Sequence, residues 1–210
     1  MNISILGAGR VGATLAAALA AKGHAITIGH RDPAAGASQW KGPSVRHASL
    51  ADAVAASPLV INATPGDTAL PMLQALQTPL QGKVLLDVSN ATERTANGMP
   101  GGLLYPNSSL AEHLQAALPQ TRVVKSLNTM IFTVMAAPQS LSSSPTVFVS
   151  GDDADAKSQV KALLADLGWP AGQVLDLGGI QSARATEAMI LMVPYLIAAR
   201  GFKPFALTVA

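Results

Sequence analysis

Short runs of β-branched and aliphatic residues alternate along the chain with longer Ala- and Leu-rich runs, and Gly and Pro punctuate the changes. Ile3-Ser4-Ile5-Leu6 predicts a buried strand ending at Gly7, and Val11 to Lys22 predicts a helix stopped by Gly23, a residue suited to a left-handed cap. Ala25-Ile26-Thr27-Ile28 is the next strand. After a loop containing Pro33, Gly36, Gly42 and Pro43, the pattern predicts a strand at Val45-Arg46-His47, a helix opened by Ser49 or Asp52, and a strand at Leu59-Val60-Ile61-Asn62. A helix from Asp67 to Gln77, a strand from Lys83 to Asp87, a helix from Ser109 to Leu118 and a strand from Arg122 to Ser126 follow. Beyond the Ser-rich loop from Pro138 to Pro145 come a strand at Thr146-Val147-Phe148-Val149 and a helix from Asp153 to Leu167. The last predicted pieces are Val174-Leu175-Asp176, a helix from about Ser182 to Arg200, and Phe205 to Val209.

Strands separated by helices of about a dozen residues require right-handed crossovers, and those bury both faces of a sheet. The expected architecture is an α/β, Rossmann-type doubly wound, mostly parallel sheet with helices on both faces. No linker or internal repeat interrupts the 210 residues, so one domain is expected over 1–210, with a small C-terminal extension, about 145–210, completing the sheet and one flank of the site.

Gly7-Ala8-Gly9-Arg10-Val11-Gly12 is a G-x-G-x-x-G between the first strand and the first helix. Gly7 permits the tight turn, Gly9 lets the backbone approach a pyrophosphate, and Gly12 allows close packing of helix on strand. The free N–H groups and positive dipole end of the helix then form an anion site without a lysine. At the end of the second strand, where an acidic residue would hold an adenosine ribose, the chain reads Gly29-His30-Arg31-Asp32. Arg31 can fork onto a 2′-phosphate with His30 as a second donor, which favours NADP(H). The other reading makes Arg31 a solvated loop residue and gives the ribose to Asp32. Ala63-Thr64-Pro65 and Asn128-Thr129 lie at the carboxyl ends of later strands, where ligands bind in this architecture. Thr64, Pro65 and Asn128 are expected to border the ribose and nicotinamide, and Thr129, Met130 and Phe132 to face the second substrate. Each of these turns has a plainer alternative as a strand-to-helix connection or cap.

Composition narrows the chemistry. Charged residues make up 12% of the chain, where roughly 25% is usual, and cysteine is absent, which excludes thiolate catalysis, disulfides and Cys-ligated metals. A net charge of +2 supplies no basic patch for nucleic acid. The apolar run from Ala188 to Ala199 contains Pro194 and falls short of the roughly 20 residues that span a bilayer. The run from Val11 to Ala21 follows a strand rather than a basic leader, so a cytoplasmic protein with neither nucleic-acid nor membrane partners is expected. No Tyr-x-x-x-Lys pair, Gly-x-Ser-x-Gly elbow, His-Glu-x-x-His or Walker loop is present, and His24, His30, His47 and His113 lack ligand spacing. His24 reads as a helix cap, and His47 and His113 as surface residues. No metal is therefore expected, and a chemistry that needs few side-chain acids or bases is favoured.

The Gly-Ala-Gly-Arg-Val-Gly start, Gly23-His24 leading to Ile28-Gly29-His30-Arg31-Asp32, Ala63-Thr64-Pro65, Val123-Val124-Lys125-Ser126-Leu127-Asn128-Thr129 and Ser150-Gly151-Asp152-Asp153 together resemble the F-420-dependent NADP oxidoreductase family, which is related to the oxidoreductase domain of the STEAP metalloreductases. The resemblance implies NADP(H) on a Rossmann sheet and hydride transfer to a deazaflavin or flavin stacked on the nicotinamide. It also implies a homodimer and a last helix, from Gly178-Gly179 through Glu187 to Pro194, that shapes the acceptor pocket. His30 stands where the family carries Ser, and Met130-Ile131-Phe132 is more apolar than the archaeal pattern. A flavin, a quinone or another small redox acceptor thus stays open, as does a sensor that binds NADPH without turnover.

Overall fold

In the computed structural model, which describes residues 1–96 and 98–209, the predicted apolar runs become strands whose alternate residues feed two separate cores. The elements are β1 (Asn2–Leu6), α1 (Arg10–Ala21), β2 (Ala25–His30), α2 (Pro33–Gln39), β3 (Arg46–Ser49), α3 (Leu50–Ala55), β4 (Leu59–Asn62), α4 (Gly66–Gln74), α5 (Gln77–Leu80) and β5 (Val84–Asp87). Then come β6 (Thr92–Arg94), β7 (Pro100–Leu103), α6 (Leu110–Ala117), β8 (Arg122–Ser126), α7 (Phe132–Met135), β9 (Val147–Ser150), α8 (Ala154–Asp166), β10 (Val174–Asp176), α9 (Ala183–Ala188) and α10 (Val193–Arg200). The main sheet has eight strands in the order β10-β9-β8-β5-β4-β1-β2-β3, and the fold is the α/β Rossmann type.

The two-residue period of a strand explains the two cores. Ile3, Ile5, Ile61, Leu86 and Val124 point to the face covered by α1 and α8. Leu6, Val60, Leu85 and Val123 point to the other, under residues of α3, α4 and α6. All four residues of β4 and of β5 are buried, as expected of central parallel strands covered on both sides. Ser49 caps α3 by accepting from the Asp52 N–H, which decides between the two openings read from sequence.

Several boundaries differ from expectation. β9 runs antiparallel to β8, because α7 and a short 3-10 turn between them carry the chain back without a full crossover helix. The expected helix from Ser182 to Arg200 is divided into α9, a 3-10 turn at Met189–Met192 and α10, with Pro194 at the start of α10 where its missing N–H costs nothing. Residues 205 to 209 add no strand. They lie against the loops, with the Phe205 carbonyl accepting from Ile131 N–H at 3.2 Å and the Leu207 carbonyl from Thr146 N–H at 2.8 Å. The loop after β2 contains α2, and the segment after β5 forms an antiparallel β6–β7 hairpin, two elements that the apolar pattern does not predict. The His24 backbone N–H donates to the Leu19 carbonyl at 3.2 Å and so helps cap α1 as expected, while its ring bridges the Met1 amino group at 3.2 Å and Asp166 at 3.0 Å, tying the first strand's entry to α8. No helix among the described residues is long and apolar enough to cross a membrane.

Candidate active site

The carboxyl edges of β1, β2, β4, β5 and β8 open onto one cleft of about 1330 Å³. Strand order produces it. Between β1 and β4 the direction of winding reverses, so the connections leaving these neighbours diverge to opposite faces and leave a crevice.

The glycine loop forms the cleft's floor. Gly7 has φ 104, a conformation that L side chains rarely adopt, and a Cβ there would lie 2.6 Å from the Ala63 carbonyl oxygen. A Cβ on Gly12 would lie 1.9 Å from the Gly7 carbonyl oxygen, so this glycine serves the closure of the turn as much as helix-on-strand packing. Gly12 does not itself line the cleft, whereas Gly7, Ala8, Gly9, Arg10 and Val11 do. Space around Gly9 is open, with nothing within 4 Å of a Cβ built there. α1 begins at Gly9 without a side-chain cap and without an acidic residue in its first turn. Its first N–H groups are therefore left for an anion, and the loop fits a dinucleotide pyrophosphate.

At the end of β2, Arg31 is exposed, lines the cleft and makes no ion pair among the described residues. The Asp32 carboxylate accepts from the Ala35 N–H at 3.0 Å and caps α2, with Pro33 at the first helical position. His30 lines the cleft too, but its Nε2 pairs with His47 Nδ1 at 2.8 Å, and its ring fills the space over Gly36. Burial first, and then His47, hold the His30 pKa below the ordinary value, with Asp32 opposing them. The expected second phosphate donor is thus a ring already engaged inside the fold. His47 is correspondingly no free surface residue, since Trp40 packs edge-on against it at 5.6 Å. His113 also has partners, the Ser108 hydroxyl at 2.9 Å and the Tyr105 ring at 4.1 Å.

Ala63, Thr64 and Pro65 follow β4 on the cleft's wall. Thr64 is held by its own strand: its hydroxyl donates to Asn62 Oδ1 at 2.6 Å. Gly66 also lines the cleft, and a Cβ there would lie 2.2 Å from the Asn90 carbonyl oxygen, so the glycine lets α4 pack against the following wall. After β8, Leu127 takes φ 63, rare for a branched residue, and this turn aims Asn128 and Thr129 into the cleft. Asn128 Nδ2 donates to Asn90 Oδ1 at 3.0 Å, and Asn90 donates back to the Asn128 carbonyl at 2.9 Å, which locks the two turns together.

Beyond these turns the cleft becomes apolar. Met130 and Phe132 line this part, joined by Met72, Met135, Met189 and Phe205, and Arg10 stacks over the Phe132 ring at 5.4 Å. The hairpin adds Thr92, Arg94 and Pro100. Arg94 Nη2 donates to Asp67 Oδ1 at 2.9 Å, and its guanidinium holds the Asp67 carboxyl below the ordinary carboxylate value. Neither this hairpin nor the cleft-facing residues of α4 and the 189–192 turn emerge from the hydrophobic pattern. For the hairpin, the local signal is Gly98, whose φ of 74 suits a tight turn.

Residues 2–91 match the family described as NADP oxidoreductase, coenzyme F420-dependent. A solved structure from Arthrobacter sp. FB24, named as a candidate F420-dependent NADP-reductase, is 39% identical with a TM-score of 0.91, and the match covers 99% of this chain and 98% of that one. The chain belongs to the coenzyme F420-dependent NADP oxidoreductase family. Family membership brings NADP-dependent oxidation and reduction to the chain, and with it NADP binding. Metalloreductase STEAP3 of Rattus norvegicus is 30% identical over 191 residues, which are 90% of this chain and 36% of that protein, so the chain spans about a third of that relative. The imine reductase of Streptomyces aurantiacus shares the fold at 17% identity, with a TM-score of 0.66 over 94% of this chain and 62% of that one. The open glycine loop and the methionine and phenylalanine side chains lie on the same cleft.

Proposed function

We propose that this oxidoreductase moves hydride between NADP(H) and a planar acceptor of the deazaflavin or flavin type, laid in the apolar lobe. The observation that carries this reading is the composition of that lobe: methionines 72, 130, 135 and 189 and phenylalanines 132 and 205 adjoin the glycine loop, and the ion pair near them, Arg94 with Asp67, is already neutralised. NADP(H), when bound, supplies the hydride itself. What remains for the protein is to bind, orient and keep water away.

The chain's residues divide these tasks. The α1 N-terminus and the backbone of Gly7, Ala8, Gly9, Arg10 and Val11 receive the pyrophosphate, with Gly12 closing the turn. Arg31 receives the 2′-phosphate. Thr64, Pro65 and Asn128 border the ribose and nicotinamide, while Thr129, Met130 and Phe132 meet the acceptor. Methionine thioethers and phenyl rings adapt to a flat ring system and exclude water from it. The proposed assembly is a homodimer, supported by the apolar exposure of Leu191, Met192, Tyr195 and Phe202 along the C-terminal segment, where Tyr195 is 78% exposed.

The test offers NADPH with an F420-type deazaflavin, FMN, FAD and a quinone in turn, following NADPH oxidation by absorbance. Stoichiometric reduction of a deazaflavin or flavin is expected. Tight NADPH binding with none of these acceptors, nor oxygen, reduced would overturn the proposal in favour of a sensor.

A further inference from the structure

One cluster of charges lies wholly inside the protein and takes no part in the tasks above. Lys125, at the end of β8, has a fully buried side chain, and its Nζ contacts Asp87 Oδ2 at 2.7 Å and Glu187 Oε1 at 2.8 Å, as well as the Ser89 carbonyl. Burial pushes the Lys125 ammonium down, but Asp87 and then Glu187 outweigh it and hold the pKa above the ordinary lysine value. The two acids have further donors. Asp87 Oδ1 accepts from Asn62 Nδ2 at 2.8 Å and from the Ser89 hydroxyl at 2.7 Å. Glu187 accepts from the first N–H groups of α6, Leu110 at 3.0 Å and Ala111 at 3.2 Å, so its charge sits on the positive end of that helix.

Followed outward, the cluster ends on both walls of the cleft. On one side, Asn62 holds Thr64, which lines the cleft beside the glycine loop. On the other, Glu187 belongs to α9, and Met189 and Ile190, two and three residues later, line the acceptor lobe. The chain Thr64–Asn62–Asp87–Lys125–Glu187 is unbroken, and every link in it is a direct hydrogen bond or ion pair. Stability alone is a poor reason for such an arrangement, since three desolvated charges commonly do no better than apolar residues of the same volume. α6 and α9 are, moreover, already joined at the surface by the Arg184–Glu112 pair. A network of directional bonds does what apolar packing does less well: it sets one spacing.

We infer that Lys125 and Glu187 are positioning residues that set the separation of the two cleft walls, and so place the acceptor against the dinucleotide. This rests on the oxidoreductase reading given above, but its test does not depend on that reading. In the wild-type protein, without ligand, the amides of Leu110, Ala111 and residues 183–193 should resist hydrogen exchange as long as those of β8; exchange there within minutes, like a frayed end, would overturn the inference however the variants behave. Glu187→Gln removes the charge while keeping the size, and Glu112→Gln is the control that weakens only the surface ion pair between the same two helices. Glu187→Gln should speed exchange over 183–193, leave the NADPH Kd within about 2-fold, change the emission of bound NADPH, and lower kcat with a deazaflavin or FMN by about 10-fold or more, because small misplacements of reacting rings are costly. Glu112→Gln should do none of these. Equal effects of the two variants, or a Glu187→Gln protein that loses only thermal stability, would reduce the cluster to a structural role. Should the wild type fail to bind NADPH, the proposed function falls while the exchange result still decides this inference.

Discussion

Arg31→Ala puts the choice of cofactor to a quantitative test. Three arginines line the cleft: Arg10 lies over the Phe132 ring, Arg94 is forked onto Asp67, and Arg31 has neither kind of partner among the described residues. Asp32, the acidic residue that could instead hold a ribose hydroxyl, is occupied as the cap of α2. His30 cannot compensate readily, because burial favours its neutral form and His47 takes its Nε2. Removing a charge-assisted hydrogen bond to a 2′-phosphate costs about 1.5–3 kcal/mol, which corresponds to a 10- to 100-fold weaker Kd for NADPH. The same change should leave NADH within about 2-fold, since NADH carries no phosphate at that point. Titration of both nucleotides, followed by the emission of the bound nicotinamide, measures all four constants. The difference should shrink with added salt, as expected for an exposed charge pair. Equal affinities of the wild type for NADPH and NADH would refute the reasoning. So would an Arg31→Ala protein that loses both nucleotides equally, because the side chain would then be supporting the loop rather than reading the phosphate.

Two further outcomes follow from the fold. Gly12→Ala places a Cβ 1.9 Å from the Gly7 carbonyl oxygen, where both partners are backbone; a loss on the order of 1–3 kcal/mol and weakened NADPH binding are expected, and an unchanged Tm by calorimetry would show that the loop is not closed in this way. Asp176, on edge strand β10, is pushed up by burial but more strongly down by Lys161, the Gly178 N–H and Lys157, so its pKa falls from 3.8 to about 2. A depressed carboxyl stabilises the fold above its ordinary pKa and loses that contribution as the pH drops toward the folded value. Asp176→Asn should thus cost about 1 kcal/mol near neutrality, after allowance for solvent screening, and the two proteins should converge between pH 4 and about 2 in denaturant titrations. A gap that persists at the acid end would point to packing instead of charge.

How the site came to be legible is clearest at particular residues. The glycine loop depends on one strand, one turn and one helix in immediate succession, and two of its glycines answer a local steric demand, Gly7 with φ 104 and Gly12 against the Gly7 carbonyl oxygen. Such demands are written in adjacent residues. Unbroken apolar runs in β4 and β5 likewise announce strands buried on both faces. The β6–β7 hairpin is harder to see, because its strands are short and bury no residue fully.

Local sequence, then, determined the succession of the main-sheet strands, the dinucleotide turn and the absence of thiol chemistry. Only tertiary structure decided the antiparallel entry of β9, the division of the last helix ahead of Pro194, the inward turn of His30 toward His47 and the assembly of Lys125 with Asp87 and Glu187. The physical reason is range. A turn or a strand is selected by sterics and burial within a few residues, whereas a hydrogen bond between residues 38 positions apart, as from Lys125 to Asp87, exists only after the sheet has brought its strand ends to one edge.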